Sequence, residues 1–254
     1  MSKAILVANW KNYPGSLSEA KSLLNNLVRD YRVYKKLSLF VAPPGTYLDL
    51  VSSKIKSLGN LASQDFPSLE KKETRTGSLT ADILKSFGTK LSIIGHSEIR
   101  AQGETSQEVS RKVKLALSAG ITPLVCIGEK VHDHDGEYFE YLEEQIKSSL
   151  EGVSRKDAKK VLIAYEPIWA IGKDATGVIE PKDLTQTIIF IRKILSDIFT
   201  GDIALAVPVL YGGSVDASNI EGLWRETGVS GFLVGRASLD AKTFKKLAEI
   251  ITAK

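Results

Sequence analysis

The sequence predicts an α/β protein: a closed barrel of eight parallel strands with outer helices, (β/α)8, in one domain over residues 1–254. Eight short apolar runs, each bounded by turn residues, follow one another along the chain. Their near-continuous hydrophobicity is that of strands covered on both faces. Segments of helical period lie between them. Eight units in 254 residues come to about 32 residues each, close to one strand–helix repeat. The alternative, an open doubly wound sheet, lacks its G-x-G-x-x-G fingerprint after the first strand. No Pro-, Gly- or Ser-rich linker divides the chain.

The first strand is expected at 4–9. The helix after it opens at Leu17-Ser18-Glu19-Ala20, capped by Ser16 or Ser18, with Leu23, Leu24, Leu27 and Val28 on one face. Strands follow at 37–42, 60–64 and 91–95. Thr105-Ser106-Gln107-Glu108 has capping-box spacing and starts a helix striped by Val109, Val113, Ala116 and Leu117. The fifth strand, 122–128, precedes a helix at 140–150. The sixth, 161–166, precedes a helix at 183–199, with Pro181 where a first-turn proline belongs. Strands at 203–211 and 231–235 and a helix at 240–251 complete the series.

Composition excludes several classes of function. With 43% hydrophobic and 25% charged residues, disorder is not the main state. No apolar run approaches the ~18 residues of a membrane span, so no membrane partner is expected. The apolar run from Ala4 to Ala8 is shorter than the roughly 7–15 residues of a secretory core. The single cysteine, Cys126, permits no intrachain disulfide and fits a cytoplasmic home. Its place inside an apolar strand reads as a packed core thiol. The net charge of +4 is small, and Lys35-Lys36, Lys71-Lys72, Lys159-Lys160 and Lys245-Lys246 stand beside acidic or polar residues. Nothing clusters basic with aromatic residues, so no nucleic-acid partner is expected. A mildly basic chain still suits a small anionic ligand.

Active sites of such barrels lie at the C-terminal strand ends. The first strand ends Asn9-Trp10-Lys11 and the fourth Gly95-His96-Ser97-Glu98. The sixth ends Ala164-Tyr165-Glu166, followed by Pro167, Ile168, Trp169, Ala170, Ile171, Gly172 and Lys173. That apolar segment in a loop position reads as a lid folding over a ligand. The seventh strand ends Tyr211-Gly212-Gly213-Ser214-Val215 and the eighth Leu233-Val234-Gly235-Arg236-Ala237-Ser238. Glycine turns after strands seven and eight suit a phosphate, held by backbone N–H groups at a helix start. Singly, Lys11 reads equally as a solvated loop lysine, His96 as a structural histidine and Glu166 as an ion-pair partner. Together they offer a carboxylate base, an imidazole, an ammonium, an amide and a phosphate cradle. That set suits proton abstraction beside a carbonyl in a small phosphorylated compound. His132-Asp133-His134-Asp135 hints at a metal, but its spacing matches no standard site. It reads as solvated loop, and no metal is expected.

Asn9-Trp10-Lys11, Gly95-His96-Ser97-Glu98, Cys126-Ile127-Gly128-Glu129, the run from Ala164 to Gly172 and Tyr211-Gly212-Gly213-Ser214 resemble the triosephosphate isomerase family, in the same order. The likeness runs from about Ala4 to about Phe244. It implies a TIM barrel that interconverts dihydroxyacetone phosphate and D-glyceraldehyde 3-phosphate in glycolysis and gluconeogenesis, without cofactor. It further implies Glu166 as the base, His96 as a neutral electrophile, Lys11 as an offset to negative charge and Asn9 as a holder of the substrate oxygens. Backbone N–H groups of Gly172, Ser214, Gly235 and Arg236 would grip the phosphate, and Ile171 and Leu233 would cover Glu166. A homodimer is implied too. The chain departs from the family pattern in several places. Arg236 stands where a second glycine is usual, Lys173-Asp174-Ala175-Thr176-Gly177 differs from the usual far hinge of the lid, and Ser78 and Ile99 replace a glutamate and an arginine where subunits meet.

Overall fold

A computed structural model describes residues 3–69, 73–133, 135–171 and 177–253. Eight parallel strands close into a barrel in chain order: β1 (Ile5–Asn9), β2 (Ser38–Ala42), β3 (Asn60–Ser63), β4 (Leu91–Ile94), β5 (Thr122–Ile127), β6 (Leu162–Tyr165), β7 (Val209–Tyr211) and β8 (Gly231–Val234). β8 returns to pair with β1, so the barrel has no free edge. The expected (β/α)8 architecture is the one observed.

Period-two alternation divides the apolar side chains into two cores. One cluster holds strand residues only, among them Val7, Ile93, Cys126, Ala164, Leu210 and Leu233, and fills the barrel. The other joins outward-facing strand residues such as Leu6, Val125 and Ile163 to the helices, through Leu24, Val113, Leu184 and Phe244. Two residues beyond each inward-facing position comes the next inward position. After Val7 that is Asn9, after Cys126 Gly128, after Ala164 Glu166, after Leu210 Gly212 and after Leu233 Gly235. The strand period therefore delivers two polar side chains and three glycines to one rim.

Five strands end one residue earlier than expected, at Ser63, Ile94, Ile127, Tyr165 and Val234. The residues left outside the ladder are Gln64, Gly95, Gly128, Glu166 and Gly235, where the chain turns away from the rim. The Glu166 N–H nevertheless still donates to Ile127 O at 2.7 Å.

The expected seventh strand over 203–211 is mostly not strand. Gly201–Ala206 is a helix, and only Val209–Tyr211 joins the sheet. Pro208 brings no ladder donor and drives Val207 into extended geometry, which separates the two pieces. Ala204, Leu205 and Ala206 before it are good helix formers. Ile203 and Ala204 are buried while Leu205 is 73% exposed, so the apolar run was never covered on all sides.

Helices complete every unit. Leu17–Arg29 is capped by Ser16, and Ser106–Ser118 carries the expected capping box between Thr105 and Glu108. Pro181–Ile198 has its proline in the first turn, and Ala241–Thr252 is capped by Asp240. Glu137–Ser149 starts before the expected residue 140, because the Asp133 carboxylate accepts the N–H groups of Gly136, Glu137 and Tyr138. Leu48–Ile55, Ala81–Ser86 and Ile220–Glu226 follow β2, β3 and β7. They are short, and their apolar stripes are too brief to stand out in sequence.

Candidate active site

Asn9 is buried at the end of β1, where its Oδ1 accepts the Lys11 N–H at 3.0 Å. Lys11 adopts φ +51, the only positive φ of a non-glycine among the described residues. This costly conformation is held from both sides, since the Lys11 carbonyl also accepts Gln64 Nε2 at 2.6 Å. The backbone strain aims the lysine stem across the barrel mouth. There its ammonium meets Glu98 Oε1 at 2.5 Å.

At the end of β4 the chain turns through Gly95, φ +73, and His96 caps the short helix Ser97–Arg100. The Glu98 N–H donates to His96 Nδ1 at 3.2 Å, which assigns the ring proton to Nε2. Nε2 faces Glu166 Oε1 at 3.2 Å. The other carboxylate oxygen, Oε2, accepts the Ser97 N–H at 3.0 Å. Glu166 is 2% exposed. Asn9, Lys11, His96 and Glu166 thus form one continuous chain of contacts, linked through Glu98. Sequence reading quoted Glu98 but gave it no role, and it missed Gln64. Their positions at the ends of the fourth and third strands were the available signal.

Gly212 admits Glu166 to this site. A Cβ on Gly212 would lie 2.8 Å from Glu166 Cγ. The glycine read as part of a phosphate turn therefore also makes room for the carboxylate. Beneath it, the thiol of Cys126 is fully buried. Burial, with the Glu166 charge adding to it, pushes that thiol well above its ordinary range and leaves it an unreactive packing group.

Gly235 lies against Lys11, where an added Cβ would sit 3.4 Å from Lys11 Cε. Arg236 opens the 3-10 turn Arg236–Leu239 and has no positive φ, so an arginine is tolerated in place of glycine. Ser238 Oγ donates to Gly235 O at 2.7 Å and reaches Asn9 O at 3.4 Å, tying the β8 rim to that of β1. The Ser214 hydroxyl donates to Ala170 O at 2.9 Å, joining the turn after β7 to the segment after β6.

Of the expected lid, Pro167, Ile168, Trp169, Ala170 and Ile171 are described, and Ile168–Ala170 forms a 3-10 turn. Gly172 and Lys173 lie outside the described residues. The turn is anchored to the loop after β5. The Ile168 N–H donates to Glu129 O at 2.9 Å, and the indole N–H of Trp169 donates to Glu129 Oε1 at 2.7 Å. The hydroxyl of Tyr165 donates to the same oxygen at 2.8 Å. His132 corrects an expectation: it is not a solvated loop residue. It is partly buried, stacks on Tyr138 and Trp169, and contacts Glu129. His134 lies outside the described residues.

A family model described as triosephosphate isomerase matches residues 4–251. The chain belongs to the triosephosphate isomerase family. Curated triosephosphate isomerases agree along almost their whole length. The protein from Geobacter metallireducens is 37% identical over 246 residues, covering 96% of this chain and 97% of the relative. That from Thermoanaerobacter pseudethanolicus is 38% identical, covering 97% and 99%. That from Dictyoglomus thermophilum is 31% identical, covering 96% and 98%. The triosephosphate isomerase match spans all eight strands, from β1 to the last helix.

Proposed function

We propose that this chain interconverts dihydroxyacetone phosphate and D-glyceraldehyde 3-phosphate, with the rim of the barrel as the active site. The observation that carries the reading is the facing pair of Glu166 and His96, 3.2 Å apart, with the Lys11 ammonium joined to His96 through Glu98. The Glu166 carboxylate leaves the Ser97 N–H and takes a proton from the carbon next to the substrate carbonyl. The electron pair passes to the carbonyl oxygen and forms an enediolate. His96 Nε2–H donates to that oxygen and relays a proton between the two oxygens, and Glu166 returns its proton to the neighbouring carbon. Atoms and charge balance without a cofactor.

Lys11 offsets the negative charge that develops on oxygen, and Asn9 helps hold the oxygens. Backbone N–H groups of Gly172, Ser214, Gly235 and Arg236 grip the phosphate. The segment Pro167, Ile168, Trp169, Ala170, Ile171, Gly172 and Lys173 closes as the lid. Ile171 and Leu233 then cover Glu166. Water exclusion keeps the enediolate from expelling its phosphate. A coupled assay of the purified protein with glyceraldehyde 3-phosphate in D2O tests the reading. Isomerisation with deuterium entering at the transferred position supports it, and absence of isomerisation rejects it.

Gly212→Ala is expected to lower kcat about a hundredfold, because the methyl displaces Glu166 by a fraction of its working distance. Steady-state kinetics check this, with circular dichroism expected to match the parent protein.

The same reading makes the chain a single-domain, cytoplasmic homodimer. No helix among the described residues is long and apolar enough to cross a membrane. A cleft of about 680 Å³ lined by Thr76, Gly77, Ser78 and Ile99, residues of the segments through which subunits of the family meet, supports the dimer reading. Light scattering at micromolar concentration is expected to give twice the 27.7 kDa chain mass.

A further inference from the structure

We propose that His132 is a positioning residue for the turn Ile168–Ala170 and acts through Trp169 and Glu129. The consequence for turnover rests on the isomerase reading above; the geometry does not. Trp169 is the largest side chain of the turn. One edge of its indole is held by the 2.7 Å hydrogen bond to Glu129 Oε1. The imidazole of His132 lies against its ring, with centroids 5.1 Å apart and planes tilted by 43°. On the far side of the segment Gly177 comes so near that a Cβ there would sit 3.1 Å from Trp169 Cζ3.

His132 connects these contacts. Its Nδ1 lies 3.2 Å from the same Glu129 Oε1 that holds the indole, while its ring also stacks on Tyr138 at 4.0 Å. Glu129 is 1% exposed, and its Oε2 has no hydrogen-bond partner among the described residues. A carboxylate so deeply buried depends on its few donors to stay in place. Among the described residues those donors are Tyr165, Trp169 and His132, all on Oε1. Removing His132 therefore loosens the carboxylate and uncovers one face of the indole together. Tyr165 directly precedes Glu166, so the network adjoins the base.

The experiment uses the full chain labelled with 5-fluorotryptophan, whose three signals come from Trp10, Trp169 and Trp224. A Trp169→Phe variant assigns the signal of interest. In His132→Ala the Trp169 signal is expected to move and broaden while those of Trp10 and Trp224 stay in place. In the isomerase assay kcat/KM is expected to fall about tenfold, the worth of one hydrogen bond to a charged group. More turnovers are expected to end in released inorganic phosphate, because a poorly placed turn seals the enediolate less well. His132→Gln, which restores a donor to Glu129 without the ring, is expected to recover part of both effects. An unmoved Trp169 signal in His132→Ala overturns the proposal. So does a displacement of all three signals together, which would mark general loosening. The fluorine signals decide the positioning role even if the protein does not isomerise triose phosphates.

Discussion

Glu166→Gln is expected to lower kcat by roughly 10²–10⁴-fold, the usual worth of a general base, with little change in the thermal midpoint. The amide keeps the length and shape of the side chain. Its oxygen can still accept the Ser97 N–H that Glu166 Oε2 accepts at 3.0 Å, while its NH2 group faces the His96 Nε2–H, a donor–donor mismatch confined to the rim that leaves the packed core untouched. Folding is therefore expected to survive while the proton acceptor of the proposed mechanism is lost. KM is expected to change much less than kcat, because the proposed phosphate grip uses other residues of the rim. Steady-state kinetics beside thermal unfolding separate the two effects. A variant with near-wild-type kcat would show that the proton is taken by another group.

Lys11→Met is expected to reduce kcat/KM by about 10³-fold or more, at the upper end of what a single preorganised charge contributes. The ammonium reaches the Glu166–His96 pair through Glu98, whose Oε1 it meets at 2.5 Å and whose Oε2 lies 3.8 Å from His96 Nδ1. It is delivered there by a backbone in the left-handed region. Methionine preserves the unbranched stem that lies against Gly235. Glu98, left without its ion pair, is 57% exposed and stays hydrated, so the fold is expected to survive. Both KM and kcat should suffer, since in the proposed mechanism the same charge serves the anionic substrate and the developing enediolate. Circular dichroism with kinetics checks the expectation, and turnover within tenfold of wild type would mean the charge acts elsewhere.

Much of this site was legible before any coordinates. Asn9, Lys11, His96, Glu166, Ser214, Gly235 and Arg236 stand at strand ends, and strand ends can be read from apolar runs and the turn residues that stop them. The errors have local causes. The run 203–211 has strand-like composition, yet Pro208 and a one-sided pattern of burial divide it into helix and strand. His132 stands in a polar stretch, which conceals that its ring packs between Tyr138 and Trp169. Gly212 reads as a phosphate turn, and only packing reveals the glutamate pressed against it.

Eight near-continuous apolar runs separated by helical segments were enough to predict the barrel, and the period of a strand, a local property of the backbone, carries residues at the run ends to its rim. Which of those residues meet was decided by barrel closure alone. Lys11 and Glu98 lie 87 positions apart, and Ser97 and Glu166 lie 69 apart. Hydrogen bonds at such separations depend on how the strands are staggered around the ring and on gaps of a few tenths of an ångström, and neither is written in any short stretch of the chain.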